Sequence, residues 1–384
     1  MSTKADIVII GGGIIGASCA YFLSEKGLNI HLVERHFPAS GTSRACDGLV
    51  LLLDKGPGAE LALGKMSLEL WNQLDETLEA DFGLERVGTI LLAEEKDQLK
   101  AMQEKAEMIR QSGQRAEMLD SQALQGLEPE LAPDLAGGLL FPDDLQVDPR
   151  RATLAMLASA QEKGVTVHTG SEVLDIKREP QGNQRICAVV TQKVEISTPA
   201  VICAAGVWSK QVAQMVGLDL PIKPRKGHIL VTAKNPGFIK HPLLEGGYVS
   251  TVQSAADDLQ VAFVAETIRT GTILLGSSRQ FVGDDRTVSM NVIQAIASRA
   301  IRFLPRLGNT QVIRSYAGLR PWSADHLPLI GPVQSVPGLV LATGHEGAGI
   351  GLAPITGKLV SEWITDAVEP ELAAAFHPDR YFKT

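Results

Sequence analysis

The chain opens with a predicted strand, residues 6–10, whose apolar run Ile7–Ile10 meets Gly11-Gly12-Gly13-Ile14-Ile15-Gly16 without a spacer. A second apolar run, Ile30–Val33, ends on Glu34. Few features constrain a fold more. An apolar run of this length suits the centre of a parallel sheet. The glycine turn and the helical spacing of Ile14, Ile15, Cys19, Phe22 and Leu23 then demand strand, tight turn, helix and parallel strand. In that arrangement Gly11 permits the turn, Gly13 lets backbone approach a pyrophosphate, and Gly16 lets the helix lie close to the sheet. The helix N-terminus offers unpaired N–H groups to phosphate. Glu34, placed to accept from ribose hydroxyls, disfavours a 2′-phosphorylated ribose. The unit therefore predicts a dinucleotide site and leaves FAD and NAD both open.

The remaining 350 residues set the limits of the chemistry. A chain of 384 residues allows two structural domains. A formal charge of −8 argues against nucleic acid as the main partner. No eighteen-residue apolar stretch is free enough of charge to span a bilayer. Asp6 interrupts the N-terminal apolar run, so the start reads as a short tail of a cytoplasmic protein and not as a secretory signal. Peripheral attachment at the inner face of a membrane stays open. Cys19, Cys46, Cys187 and Cys203 show neither C-x-x-C pairing nor metal-ligand spacing, so no metal site is expected.

Further elements follow from periodicity. Helices are predicted over 59–82, 150–162 (with Asp148-Pro149 as its start), 289–304 and about 351–367, and residues 95–125 read as a charged helical flank. Strands are predicted at 165–168, 173–176, 186–190, 200–206, 229–232, 247–251, 260–265, 272–276 and 339–343, with a turn after Arg320-Pro321. The expected fold class is α/β, a Rossmann-like dinucleotide domain interleaved with an α+β domain on a mainly antiparallel sheet. Residues 1–82, 144–220 and 318–384 would form the first domain, and 83–143 and 221–317 the second.

Five blocks then carry a resemblance. They are Gly11–Gly16 with Glu34, Ser40–Ala45, Ala204–Trp208, Tyr316–Pro321 and Gly344–Gly351. In this order they resemble the FAD-dependent D-amino-acid oxidase superfamily. The likeness is to the branch with glycine oxidase, sarcosine oxidases and the flavin subunits of bacterial opine and D-hydroxyproline dehydrogenases. The resemblance implies FAD, and it adds Arg35, Thr42, Ser43, Arg44, Val173, Ala204, Ala205, Gly206 and Trp208 to the cofactor residues Gly11, Gly13, Ile14, Ile15, Gly16 and Glu34. It also adds Gly344, Glu346, Gly347, Ala348, Gly349 and Ile350 near the flavin ring and ribityl chain. Closely spaced small residues before a helix start agree with that last role.

The resemblance further implies hydride transfer from the α-carbon of an amino acid to flavin N5. Arg320 is the candidate carboxylate clamp, since a guanidinium binds a carboxylate bidentately. Tyr248 is a candidate pocket residue, and Tyr316 and His345 are placed near flavin or substrate. Relatives with covalent FAD use a cysteine near the late tyrosine block or a histidine in the early loop. This chain has neither residue there, so non-covalent FAD is expected. The partners implied are a small carboxylate-bearing amine and, for a dehydrogenase, an iron–sulfur or second-flavin subunit or a quinone. Alternatives are an oxygen-using glycine or D-amino-acid oxidase, a 2-hydroxy-acid oxidoreductase, and an electron-transfer or assembly subunit.

Overall fold

A computed structural model describes residues 3–181, 184–248, 258–365, 367 and 374–382. Among these, the strands form four sheets. The first has six strands in the order Leu329–Pro332, Leu339–Thr343, Val201–Cys203, Ile7–Ile10, Ile30–Val33 and Thr166–His168. All pairings are parallel except that of the edge strand Leu329–Pro332. Both faces of its centre are buried. Ile7 and Ile9 join one apolar cluster, and Val8 and Ile10 join another. An unbroken Ile-Val-Ile-Ile run therefore suits this strand, whereas an alternating one would leave a polar face buried.

Helices Ile14–Ser24, Pro149–Glu162 and Ala353–Ile364 contribute buried residues to the first cluster. The first and third pack so closely that a Cβ on Gly357 would lie 2.3 Å from Ser18 Oγ. Asp148 caps the second helix by accepting from Arg150 and Arg151 N–H, with proline in the first turn, as expected from Asp148-Pro149. A four-stranded sheet, Thr3–Lys4, Glu195–Ser197, Ile186–Thr191 and Val173–Arg178, supplies residues to the second cluster.

The largest sheet has eight strands. Its order is Val312–Ser323, Ile222–Thr232, Ile273–Arg279, Gln260–Thr267, Leu243–Glu245, Thr89–Ala93, Gly137–Phe141 and Glu117–Asp120. Every pairing is antiparallel except Leu243–Glu245 with Thr89–Ala93. Helix Met290–Phe303 covers one face through Val292, Ile293, Ile296, Ala300 and Phe303, the last stacked on Phe263 with ring centroids 4.6 Å apart. The expected mixed α/β architecture is what the chain adopts.

Several expectations need correction. The turn after Arg320-Pro321 is instead the end of a twelve-residue strand, Val312–Ser323, which crosses the expected 317/318 boundary. Its first three residues are exposed and Gly318 and Pro321 break its pattern, so no clean alternation marks it. The 95–125 flank divides into helix Lys96–Gln111, edge strand Glu117–Asp120 and helix Ser121–Leu127. The 200–206 strand stops at Cys203, and Gly206–Trp208 form a 3-10 turn. Most of the expected 247–251 strand lies outside the described residues. No helix among the described residues is long and apolar enough to cross a membrane.

Candidate active site

The floor of the site is set by register. In the ladder between Ile222–Thr232 and Val312–Ser323, Ile229 faces Tyr316, Gly227 faces Gly318, and Arg225 faces Arg320. Residues directly opposite share a face. This face thus carries two glycines side by side, with an arginine pair at one end and an aliphatic–aromatic pair at the other. A Cβ on Gly318 would come within 2.6 Å of Ala45 O, and one on Gly227 would come within 2.2 Å of Arg320 Nη1. The missing side chains are the space into which the early loop and the Arg320 guanidinium fit.

A cavity of about 400 Å³ runs from the first glycine turn to this face. At the dinucleotide end it is lined by Gly11, Gly13, Ile14, Ile15, Glu34 and Arg35, then by Thr42, Ser43, Val173, Ala204, Ala205, Gly206 and Trp208. At the other end it meets Tyr248, Arg320, His345, Glu346, Gly347, Gly349 and Ile350. Gly11 has φ +112°, and a Cβ there would lie 2.5 Å from Ala204 O. Gly16 lies outside the cavity, where its Cβ would meet Gly11 O at 1.9 Å. That is the packing role expected of the third glycine.

The early loop is fastened at both ends. Ser43 Oγ accepts from Ile14 N–H at 3.0 Å, and Thr42 Oγ1 donates to Leu319 O at 2.7 Å. Glu34 accepts from Gly12 and His36 N–H, each at 2.8 Å, which leaves carboxylate lone pairs for hydroxyl donors. Arg35 lies over the Trp208 ring at 3.9 Å. A dinucleotide fits this set: two glycines without side chains at the turn, a helix N-terminus, and a fixed carboxylate at the strand end.

Besides Gly16, four expected site residues lie outside the lining of this cavity. Gly344, at φ +81°, is wedged against Leu329, Ile222 and Ser323 and not against the cavity. Ala348 lines a neighbouring polar chamber of about 260 Å³, which shares Tyr248, His345, Glu346 and Gly347 with the main one. Arg44 and Tyr316 line a small adjoining pocket with Arg286 and Arg314. The early loop turns Arg44 outward, and Tyr316, under Arg314, lies beyond the glycine pair. This pocket adjoins the main cavity and shares Thr42, Ala45, Trp208 and Gly318 with it, so both residues stand at its flank and not in its lining.

His345 is buried, and its Nε2 lies 2.9 Å from Thr356 Oγ1, which donates to Leu352 O. The Thr356 oxygen therefore accepts from His345 Nε2–H, and Nδ1 is left as an acceptor. Burial lowers the imidazole to about 3. It is a neutral wall residue, unsuited to proton donation at neutral pH. Glu346, at φ +47°, pairs with the fully buried Arg225 at 2.6 Å and with His326 Nδ1 at 3.1 Å. Burial alone would raise its carboxyl, but the His326 bond and Arg225 outweigh burial and hold it below the usual range.

Arg320 Nη1 donates to Ser278 O at 3.0 Å. Ser278 is in turn held by His228, whose N–H and Nδ1 lie 3.0 and 2.9 Å from Ser278 Oγ. No sequence pattern gives His228 a task; its buried ring packs behind the clamp candidate. Arg279 lies over the Tyr248 ring at 4.7 Å, and burial raises the Tyr248 phenol. Asp47 and Cys46 also line the cavity, a position that sequence reasoning misses. No local pattern signals them, because their position depends on the contact between the early loop and Gly318.

Fold and cavity together describe a dinucleotide-binding protein with a second, β-sheet wall over the cavity. Residues 6–363 match the family of FAD dependent oxidoreductases, and the chain belongs to it. The chain is 30% identical to hydrogen cyanide synthase subunit HcnC of Pseudomonas aeruginosa, over 99% of this chain and 98% of that one. It is 28% identical to an opine oxidase subunit of Rhizobium meliloti, over 90% and 89%. Glycine oxidase of Geobacillus kaustophilus is 27% identical, over 95% and 94%. The crystal structure of that oxidase superposes with a TM-score of 0.89 at 25% identity, covering 99% of each chain. The protein is an FAD-dependent oxidoreductase. FAD supplies the two-electron acceptor; the chain supplies the orientation and the charges around it.

Proposed function

We propose that the protein oxidises a small carboxylate-bearing primary or secondary amine to the imino acid. The observation that carries this reading is Arg320. Its guanidinium lines the cavity between Gly227 and Gly347 and, among the described residues, is held by one hydrogen bond, to Ser278 O. Burial and the neighbouring Arg279 lower its pKa, yet a guanidinium stays charged at neutral pH. A carboxylate bound to that fork would fix the α-carbon on the flavin side of the pocket.

We further infer that electrons leave for a partner subunit or a quinone. Two relatives, hydrogen cyanide synthase subunit HcnC and the opine oxidase subunit, are by name parts of larger enzymes. Similarity to glycine oxidase favours a second reading, reoxidation by oxygen. FAD would be held without a covalent bond. Cys46 donates to Ser43 O at 3.6 Å, and burial with the nearby Asp47 pushes its thiol well above its ordinary range, so it is a poor nucleophile.

The test is anaerobic mixing of the holoprotein with glycine, sarcosine, D-amino acids, D-hydroxyproline, opines and 2-hydroxy acids. Flavin bleaching is followed near ~450 nm, where oxidised flavin absorbs. Bleaching by one of the amines, and its weakening in Arg320→Leu with FAD retained, supports the reading. Bleaching only by hydroxy acids, or by none of the panel, overturns it. Readmitting oxygen then separates oxidase from dehydrogenase.

A further inference from the structure

Arg320 accounts for one end of an amino acid. The other end, the nitrogen, must reach the flavin as a neutral amine, because an ammonium has no lone pair to assist loss of hydride from the α-carbon. An amino acid at neutral pH arrives protonated. Two described carboxyl groups line the cavity beside Arg320; Glu346 is already paired with Arg225 and His326, which leaves Asp47 for that task. Asp47 follows the fastened Thr42–Arg44 turn and lines the main cavity together with Arg320 and Tyr248.

The loop bearing Asp47 has little freedom. A Cβ on Gly48 would lie 1.9 Å from Val147 O. Gly48 N–H donates to both oxygens of Glu266, at 3.1 and 3.3 Å, and Glu266 is 1% exposed. The Glu266 carboxyl thus binds the backbone unit that directly follows Asp47, and the surroundings of the two residues differ. Around Asp47 stand Arg320, Arg279, Glu266, Cys46, Tyr248 and Tyr316. Burial raises the Asp47 carboxyl, while both arginines and the Leu49 N–H oppose it. The main influences on Glu266 are different: burial, then Asp47, and further Asp148 and Glu85, push it well above the ordinary range against the Gly48 N–H. Like charges that influence each other in a buried site disfavour each other's ionised form. The two arginines beside Asp47 favour its charged form, whereas burial and Asp47 favour the protonated form of Glu266.

We propose that Asp47 receives the substrate's ammonium and takes its proton, an inference that rests on the amine-oxidation reading above. Substrate capture reinforces the step. When the substrate carboxylate binds Arg320, it neutralises one of the two cations that hold Asp47 ionised. The basicity of Asp47 rises as the ammonium arrives beside it. The N–H bond breaks, its proton forms an O–H bond on Asp47, and the nitrogen keeps the electron pair. The α C–H pair then leaves as hydride to FAD, the oxidant, while the nitrogen lone pair forms the C=N bond of the iminium. Glu266, engaged by Gly48 N–H, stays outside the exchange and anchors the loop.

The experiment compares wild type, Asp47→Asn and Glu266→Gln as FAD-loaded proteins, in anaerobic flavin reduction between pH 6 and 10. The substrate is the amine that bleaches the wild type most strongly. A general base contributes about 100-fold or more, so Asp47→Asn should lose on the order of 100-fold in reduction rate over substrate Kd near neutral pH. The loss should shrink about tenfold per pH unit as the amine deprotonates in solution. Glu266→Gln should keep the wild-type profile. Binding of acetate, a carboxylate without an amine, read from the flavin difference spectrum, should survive in Asp47→Asn. A misfolded variant would show neither recovery at high pH nor acetate binding. The inference is overturned if Asp47→Asn keeps the wild-type pH profile, whether with unchanged rate or with tighter substrate binding. Asp47 would then be only a counterion to the arginines. Absence of bleaching in the wild type fails the amine reading itself, before any variant is compared.

Discussion

Replacing Gly227 by alanine adds one carbon at the point where the ladder makes room for Arg320. That carbon would lie 2.2 Å from Nη1, 2.7 Å from Cζ and 2.8 Å from Nη2. Carbon contacts are comfortable near ~3.5–4 Å, so the guanidinium must withdraw by roughly 1.3 Å. It can do so, because it is the far end of a flexible side chain. Withdrawal breaks the 3.0 Å bond to Ser278 O, and hydrogen bonds of charged groups contribute about 1.5–3 kcal/mol. A displacement of about 1 Å in a positioning group costs up to ~100-fold in rate. Gly227→Ala should therefore reduce the rate of anaerobic flavin reduction over Kd by about 10- to 100-fold, or about 1.4–2.7 kcal/mol. FAD content should be retained, and stability should stay within about 1 kcal/mol, since alanine tolerates a strand better than glycine does. Reduction at wild-type rate and affinity in Gly227→Ala would refute the role of Arg320 as the clamp.

Glu346→Gln removes the carboxylate charge that lies 2.6 Å from the fully buried Arg225. Urea unfolding should show a loss of about 3 kcal/mol or more; a loss under ~1 kcal/mol would mean that Gln260, 3.2 Å from Arg225 Nη2, compensates. His345, lowered from 6.5 to about 3, stays neutral in the fold while the unfolded chain takes up a proton below pH 6.5. Stability should consequently fall as pH drops from 6.5 towards 3, by up to ~1.4 kcal/mol per pH unit from this group. In His345→Gln that part of the slope should vanish; an identical slope in both proteins would contradict the assignment. Acid precipitation of the holoprotein should leave the flavin colour in the supernatant, and a yellow pellet would point to a covalent bond.

What could be read from the sequence and what could not divide along a physical line. The strand 7–10, the helix from Ile14, the strand Ile30–Val33 and the Asp148 cap follow from local rules: burial on both faces, helical spacing, a turn only glycine permits, and a capping carboxylate. The strand Val312–Ser323 has no such local signature, because its glycine and proline serve the floor of the cavity and not the ladder. The strand Glu117–Asp120, at a sheet edge with a single buried residue, offers no alternation to detect. Site residues show the same division. Gly11, Gly13 and Glu34 are implied by their own neighbourhood. Arg44 and Tyr316 belong to the right blocks, yet the fold turns them towards another pocket. Asp47, Gly227 and the Arg225–Glu346 pair acquire meaning only through residues far away in the chain.

The order of the six-stranded sheet has a consequence for how the enzyme is made. Val201–Cys203 lies between Ile7–Ile10 and Leu339–Thr343, so the sheet's centre joins segments from both extremes of the chain. The glycine turn leaves the ribosome early, but the wall containing Arg320, His345 and Gly347 follows more than 300 residues later. At about 5–20 residues per second, roughly a quarter of a minute to a minute separates the two. Until then the nascent chain holds half a cradle, and the cofactor can be captured in full only by a finished polypeptide.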